Sequence, residues 1–265
     1  TPVNMLDPGT GKTRMTRLWC TVGGMDLRYT LYNFTPDRSR EGPVAFFKGY
    51  KGKFLSDAYV GYEELFRSGE IEAISCWAHA RRYFKKAQDT DPKAASQVLT
   101  LIARLYKTEK QIKCATAADC LRFRKKQSRA NLARILLWLR KHKQSFLPNS
   151  PMNQAIQYTL KIRKRLTRYT KDGRLPIDNN LAENGIRPVA LGRKNWLFVG
   201  SENGGQTAAI LMSFCSTCRK HKINTWEYLK DVLQRINTHP MSRIEELLPD
   251  RWQALRNSSN KPTSL

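Results

Sequence analysis

Two carboxylates stand at positions where metal-dependent chemistry could take place. Asp57 lies at the end of a strand predicted over residues 54–59, and strand ends are where α/β folds place their sites. Glu183 lies on a predicted helix, with Arg187 one turn later on the same face. Phosphoryl transfer uses two divalent ions ~4 Å apart, and Mg²⁺ prefers carboxylate ligands. The spacing alone leaves open a simpler interpretation, in which Asp57 is a turn residue and Glu183 forms a surface ion pair with Arg187.

The charge of the chain predicts a polyanionic partner. Its 265 residues include 47 Lys and Arg against 22 Asp and Glu, a net charge of +25. Such an excess favours DNA or RNA, with an anionic membrane surface as the second candidate. No apolar run approaches the ~20 residues that span a bilayer, and the first residues do not resemble a signal peptide. We therefore expect a nucleic-acid partner and no membrane.

The six cysteines do not form a recognisable metal or disulfide pattern. Cys215 and Cys218 form a C-x-x-C pair, but the sequence has no second pair or His pair to complete a zinc site. Their irregular spacing in a chain of this size predicts free thiols in a reducing cytoplasm.

The elements that must position the two carboxylates are strands in the first third of the chain and helices after it. Residues 18–22, 29–34, 54–59 and 71–77 read as strands, and residues 39–49, 61–66 and 79–86 read as helical. From about residue 92 to 170 the apolar spacing is helical, with a break at Pro148 and Pro151. Asp178 stands where the N-cap of the Glu183 helix belongs. Gly204 and Gly205 predict a loop before a helical tail that Pro240 interrupts. The pattern predicts an α/β fold with a helical insertion.

Four long motifs resemble the large DDE transposase of the insertion-sequence sixty-six family. They are SDAYVGY (56–62), CWAHARRYF (76–84), PIDNNLAEN (176–184) and RPVALGRKNWLF (187–198). They occur in the family's order across nearly the whole chain, and WEYLKDVL (226–233) resembles the family's small C-terminal segment. Four motifs in order are far more specific than any one of them.

The resemblance implies a ribonuclease-H-like core, a mixed sheet with flanking helices, that presents a D, D, E triad to two Mg²⁺ or Mn²⁺ ions. Asp57 would be the second acid and Glu183 the third, and both would bind metal. It implies a first part of the core over residues 1–91, a helical insertion over 92–172, the end of the core over 173–205 and a helical C-terminal segment over 206–265. The implied reaction is hydrolysis at the transposon end, followed by attack of the freed 3′-hydroxyl on target DNA.

The resemblance also marks two departures from the family's pattern. The first acid is expected directly ahead of a Thr-Pro-Val segment, which here opens the chain at Thr1, so we expect an N-terminally truncated and inactive or severely impaired enzyme. Asp7, the nearest substitute, precedes Pro8 and reads as a turn residue. Gly185 stands where Ala is expected, and glycine inside a helix costs up to about 1 kcal/mol.

Further polar and basic residues surround the two acids. His79, Arg81 and Arg82 could contact the scissile strand, or Trp77 and Phe84 could anchor their helix while the arginines face solvent. The candidates for contacts with DNA phosphates are Arg81, Arg82, Arg187, Arg193 and Lys194. The residues expected to support the site are His79, Asp178, Asn179 and Asn180. Trp196 could stack on a base or belong to the core. The basic run over residues 122–126, with residues 161–168, suggests that the helical insertion binds DNA backbone; a solvated helical face is the alternative.

Three functions fit these patterns. The first is a DDE transposase acting on transposon ends and target DNA, as a homo-oligomer with or without accessory transposition proteins, at the bacterial nucleoid in the cytoplasm. The second is a non-catalytic basic DNA-binding fragment, whose binding would not depend on Asp57 or Glu183. The third is a metal nuclease that cuts without joining.

Overall fold

The protein is described by a computed structural model that covers residues 1–24 and 28–259. Its strands are β1 (Pro2–Asp7), β2 (Lys12–Val22), β3 (Thr30–Thr35), β4 (Gly52–Ser56), β5 (Ile71–Ser75) and β6 (Phe198–Val199). Its α-helices are α1 (Glu41–Phe46), α2 (Trp77–Lys86), α3 (Pro92–Gln111), α4 (Ala117–Phe123), α5 (Arg129–Lys141), α6 (Pro151–Lys161), α7 (Arg163–Thr167), α8 (Asn180–Trp196), α9 (Glu202–His221), α10 (Thr225–Arg235) and α11 (Pro249–Ser259). The predicted mixed α/β class is confirmed.

The chain divides into two compact units. The first comprises Thr1–Arg38 and Leu181–Leu265, and the second comprises Ser39–Asn180. No helix in the described ranges is both long enough and apolar enough to cross a membrane.

The first unit contains a four-stranded mixed sheet in the order β3-β2-β1-β6. β1 and β2 are antiparallel, as are β2 and β3, whereas β6 runs parallel to β1. The turn predicted at Asp7 closes the first hairpin, since the Thr10 amide donates to the Asp7 carbonyl at 3.2 Å. Helices α8 and α9 pack on this sheet through a buried cluster that includes Val3, Leu18 and Val189.

The second unit contains a two-stranded parallel sheet, β4 and β5, beside a block of helices. Its core is a single large cluster in which Trp77, Phe84, Ile102, Leu139 and Ile156 are buried. Local signals fix the start of α6: the Ser150 hydroxyl caps the helix and Pro151 follows at the first helical position. The predicted break between α5 and α6 is confirmed.

Most predicted strands and helices occur with shifted ends, but one prediction was wrong. Gly204 and Gly205 lie inside α9 and not in a loop. The Ser201 hydroxyl accepts from the Gly204 amide at 3.1 Å and starts the helix earlier. Gly205 then faces the sheet, where a β-carbon would stand 2.5 Å from the Phe34 ring. Gly205 therefore permits close packing against the sheet, and neither glycine ends a helix.

Candidate functional site

Asp57 is the first residue after β4. The predicted strand is shorter than expected and ends at Ser56, which leaves Asp57 in the turn that follows. There its carboxylate accepts the Tyr59 amide at 3.3 Å, and the Ser56 hydroxyl donates to the Asp57 carbonyl at 2.7 Å. The carboxylate is half-buried. Local backbone contacts therefore hold Asp57 at the carboxyl end of a strand, where the sequence predicts it.

The carboxyl ends of β4 and β5 form one edge, because the two strands are parallel and pair Ser56 with Ser75. Cys76 follows β5, and its amide donates to the Ser56 carbonyl at 3.2 Å. The Cys76 sulfur accepts the Asn179 amide at 3.4 Å. Burial raises the pKa of the Cys76 thiol, so it is protonated at neutral pH. Cys76 therefore contacts both the end of β4, directly before Asp57, and the segment that contains Asn179.

Asp178 is a buried carboxylate that structures the segment leading into α8. It accepts the Tyr106 hydroxyl at 2.9 Å, the Asn180 side-chain amide at 2.9 Å and the Asn180 backbone amide at 3.2 Å. Burial and the Asp178 charge raise the pKa of Tyr106 well above its usual value. The N-cap prediction is right in part: α8 begins two residues later, at Asn180, and Asp178 satisfies the first helical amide.

Glu183 lies on a helix, as the sequence predicts, and the structure places it half-buried in the first turn of α8. Arg187, one turn later, is exposed. Acidic side chains are favoured in the first turn of a helix by the helix dipole. Asp57 belongs to the second compact unit and Glu183 to the first.

Helix α8 is fastened to the sheet of the first unit near Glu183. The Tyr32 hydroxyl in β3 donates to the Gly185 carbonyl at 2.5 Å and lies 3.1 Å from the Ser216 hydroxyl of α9. A β-carbon at Gly185 would stand 2.8 Å from the Cys20 sulfur. The departure from Ala therefore has a physical reason, since it lets α8 approach the sheet closely.

The predicted DNA-contacting residues of α8 differ in their surroundings. Arg187 and Lys194 are exposed. Arg193 is half-buried, and its guanidinium donates to the Pro2 carbonyl at 2.7 Å and to the Thr1 hydroxyl at 3.3 Å. Arg193 thus holds the first residues of the chain in addition to any contact with a ligand.

The arrangement of side chains on α2 is compatible with both interpretations of this helix, a contact with DNA and an anchor in the core. Trp77 and Phe84 are buried and anchor the helix, and the Trp77 indole donates to the Leu166 carbonyl at 2.8 Å. Arg81 and Arg82 are exposed, and His79 is half-buried. The arginines therefore remain accessible to a ligand. Trp196 is half-buried and packs against the core of the first unit.

Comparison with known proteins gives the family of the chain. Residues 1–207 match the family described as Transposase IS66 family, and residues 213–249 match the one described as IS66 C-terminal element. The chain belongs to the IS66 transposase family.

Relatives of this IS66 chain occur in Sinorhizobium fredii (strain NBRC 101917 / NGR234). The uncharacterized protein y4hP is 34% identical, and the match covers 89% of this chain and 47% of y4hP. The uncharacterized protein y4qI is 31% identical, with 94% of this chain and 49% of y4qI covered. The chain spans about half the length of the curated relatives it matches. No solved structure gives a significant match.

Membership of the IS66 transposase family implies a divalent metal, and the predicted ligands suit one chemically. Both are carboxylates, the hard oxygen donors that Mg²⁺ and Mn²⁺ prefer. Across residues 1–24 and 28–259, the structure contains no group of three or more His, Cys, Asp or Glu residues arranged to hold a metal ion. Asp57 and Glu183 therefore fit the metal by donor type, and the rest of a coordination sphere would come from other oxygens.

Two tyrosines near Asp57 and Asp178 were not predicted from the sequence. The Tyr106 hydroxyl bonds Asp178 across 72 residues of sequence. Tyr158 stacks on Tyr83 with ring centroids 4.3 Å apart, and burial, Tyr83 and the Asp57 charge raise its pKa. Both tyrosines lie on helices of the predicted insertion, so that segment contributes to the surroundings of both acids. Nothing in the local sequence of α3 or α6 indicates these tertiary contacts.

Proposed function

We propose that this chain is part of a DNA transposase that cleaves DNA strands and joins a freed 3′-hydroxyl to target DNA. The observation that carries the proposal is the match of residues 1–207 to the IS66 transposase family, with an acid at each of the two motif positions. Asp57 directly follows a strand, and Glu183 lies in the first turn of a helix. These are positions from which rigid elements can hold a carboxylate towards a ligand.

The proposed catalytic core is ribonuclease-H-like. A mixed sheet covered by α8 and α9 in the first unit and a parallel pair of strands in the second support an α/β core of this kind. Residues 92–172 would then be a helical insertion between the second and third acids of the triad.

In this proposal Asp57 and Glu183 would hold divalent ions, Mg²⁺ or Mn²⁺, whose charge would activate the attacking oxygen and stabilise the leaving one. The remaining work falls to the protein's own groups. Arg187 and Lys194 are exposed on the helix of Glu183 and would bind phosphate oxygens of the DNA strand. Asp178 and Tyr106 would keep the start of that helix in place. Water would attack one phosphodiester, the liberated 3′-hydroxyl would attack a second in line, and no covalent enzyme–DNA intermediate would form.

The test is a strand-cleavage and strand-transfer assay with Mg²⁺ or Mn²⁺ on the protein as its gene encodes it. We expect Asp57→Asn and Glu183→Gln each to lower activity at least about 100-fold. Glu202→Gln is the matched control, because Glu202 also lies in the first turn of a helix of the first unit but forms an exposed pair with Arg14. Strand transfer that survives Asp57→Asn would refute the assignment of the site. Cleavage without joining would indicate a metal nuclease.

The net charge of +25 supports a second candidate, a non-catalytic DNA-binding protein. Its binding would be sensitive to salt and indifferent to Asp57→Asn and Glu183→Gln, and no metal-dependent products would form. Only the transposase proposal includes assembly as a homo-oligomer on DNA, accessory transposition proteins and association with the nucleoid.

A further inference from the structure

One face of the helical segment that runs from α4 into α5 is strongly basic. The segment continues through a π-helical turn, Arg124–Ser128, between the two helices. Between residues 117 and 143 the sequence contains nine Lys or Arg and one acid, Asp119. Four exposed cations follow one another along one side, and we call them the α4–α5 basic face: Arg122, Lys125, Lys126 and Arg129.

The basic face is opposite the side that packs into the unit. The buried residues recur at every fourth position: Cys120, Arg124, Ser128 and Leu132. Arg122 and Lys126 each lie two residues from the buried Arg124, about half a helical turn away, and Lys125 and Arg129 each follow a buried residue directly. The four cations therefore share a sector of the surface.

Most of the positive charge on the α4–α5 basic face is not neutralised by acidic side chains. Arg122 pairs with Asp119 at 2.8 Å and is still 76% exposed. Lys125, Lys126 and Arg129 form no ion pair with any residue in the described ranges. A solvated helix surface ordinarily mixes both signs of charge, because like charges at this spacing repel one another. A one-sign surface predicts an anionic ligand.

Arg124 does not belong to this face, although the sequence places it within the basic run. Its guanidinium bonds both oxygens of Glu109 in α3, at 2.9 and 2.6 Å, and its side chain is 4% exposed. It also donates to the carbonyls of Tyr169 at 3.1 Å and Asp172 at 3.0 Å. The expectation that the whole run contacts DNA was thus wrong for Arg124, which instead fixes the π-helical turn to the core of the unit.

We propose that the α4–α5 basic face binds the phosphate backbone of duplex DNA, through residues other than those predicted at the site of strand cleavage. This inference rests on the proposed function for the identity of the polyanion. At 1.5 Å per residue, the run from Arg122 to Arg129 extends about 10 Å, a length over which duplex DNA carries about six phosphate charges. Contacts of these cations with phosphate oxygens carry no sequence information, so the proposed binding is independent of sequence and falls steeply with salt.

The experiment compares two triple variants of the full chain with the unsubstituted protein. In the first, Lys125→Ala, Lys126→Ala and Arg129→Ala remove the three cations without an ion-pair partner. In the matched control, Arg40→Ala, Lys51→Ala and Arg67→Ala remove three exposed cations of the same unit that are paired with Glu64 or Glu70. Fluorescence anisotropy with a 30-base-pair duplex in EDTA, from 50 to 200 mM salt, measures affinity, and thermal unfolding verifies that each variant is folded.

We expect the basic-face variant to bind at least about tenfold more weakly at 100 mM salt, with a salt-dependence slope lower by roughly two to three. The control should bind within about twofold of the unsubstituted protein. Unchanged affinity in the basic-face variant, or an equal loss in the control, would overturn the inference. Because the assay contains no metal, its outcome is independent of Asp57→Asn and Glu183→Gln, so failure of this inference and failure of the proposed reaction are distinguishable.

Discussion

Gly185 in α8 lies against Cys20 in β2 so closely that a β-carbon on the glycine would stand 2.8 Å from the cysteine sulfur. Val22 and Thr30 also lie within 3.6 Å of that position. The contact sets the distance between the sheet and the helix that carries Glu183. The pair therefore explains why a helical position two residues from the proposed catalytic acid carries glycine.

Gly185→Ala should destabilise the protein by about 1 kcal/mol, because overpacking at Cys20 outweighs the gain in helix propensity. In a Cys20→Ala background the same substitution should be neutral or stabilising by up to about 1 kcal/mol. Urea unfolding of the two single variants and the double variant measures this coupling. Equal effects of Gly185→Ala in both backgrounds would show that the contact does not limit the approach of α8.

The local sequence predicted which kinds of element carry Asp57 and Glu183, but not which distant residues pack around those elements. A β-rich run ending in Asp57 and a cap ahead of Glu183 are local signals, and both acids lie on the expected kinds of element. Gly205 was misassigned because the property that decides its role is packing against Phe34, which is distant in sequence. Arg124 was misassigned for the same reason, since Glu109 and the carbonyls that it bonds belong to other elements.

Tyr106→Phe should lower the free energy of unfolding by about 2 kcal/mol, because the buried Asp178 carboxylate loses its hydroxyl donor. The control is Tyr50→Phe, which removes an exposed hydroxyl that donates to the Lys53 carbonyl at 3.0 Å and should cost less than about 0.5 kcal/mol. Urea unfolding measures both. Equal costs for the two variants would mean that the Tyr106 bond contributes nothing particular to the start of α8.

Asp172 should make the stability of the second unit sensitive to acid. Hydrogen bonds from Arg174, and then from Lys53 at 2.6 Å, hold the pKa of the Asp172 carboxyl well below its usual value of about 4. Because the folded-state pKa is depressed, the stabilisation is present above pH ~4 and is lost as the pH falls below it. Its size is about 1 kcal/mol, since Lys53 and Arg174 are partly exposed to screening solvent.

Asp172→Asn should therefore lower stability by about 1 kcal/mol at pH 7 and have little effect near pH 2. Urea unfolding across this pH range compares the variant with the unsubstituted protein, and 1 M salt should reduce the difference at pH 7. A difference that is the same at every pH would show that the effect of the substitution is not electrostatic.

Arg124→Leu should destabilise the protein by about 3–5 kcal/mol, because it leaves the Glu109 carboxylate buried without its partner. Adding Glu109→Leu should recover part of that loss, but the carbonyls of Tyr169 and Asp172 would still lack their donor. Urea unfolding of the single and double variants measures the recovery.

If the α4–α5 basic face alone binds DNA, the folded double variant should keep its affinity for the duplex within about threefold, since Arg124 is buried and holds the face without touching the ligand. A much larger loss of affinity in a fully folded double variant would show that Arg124 itself takes part in binding.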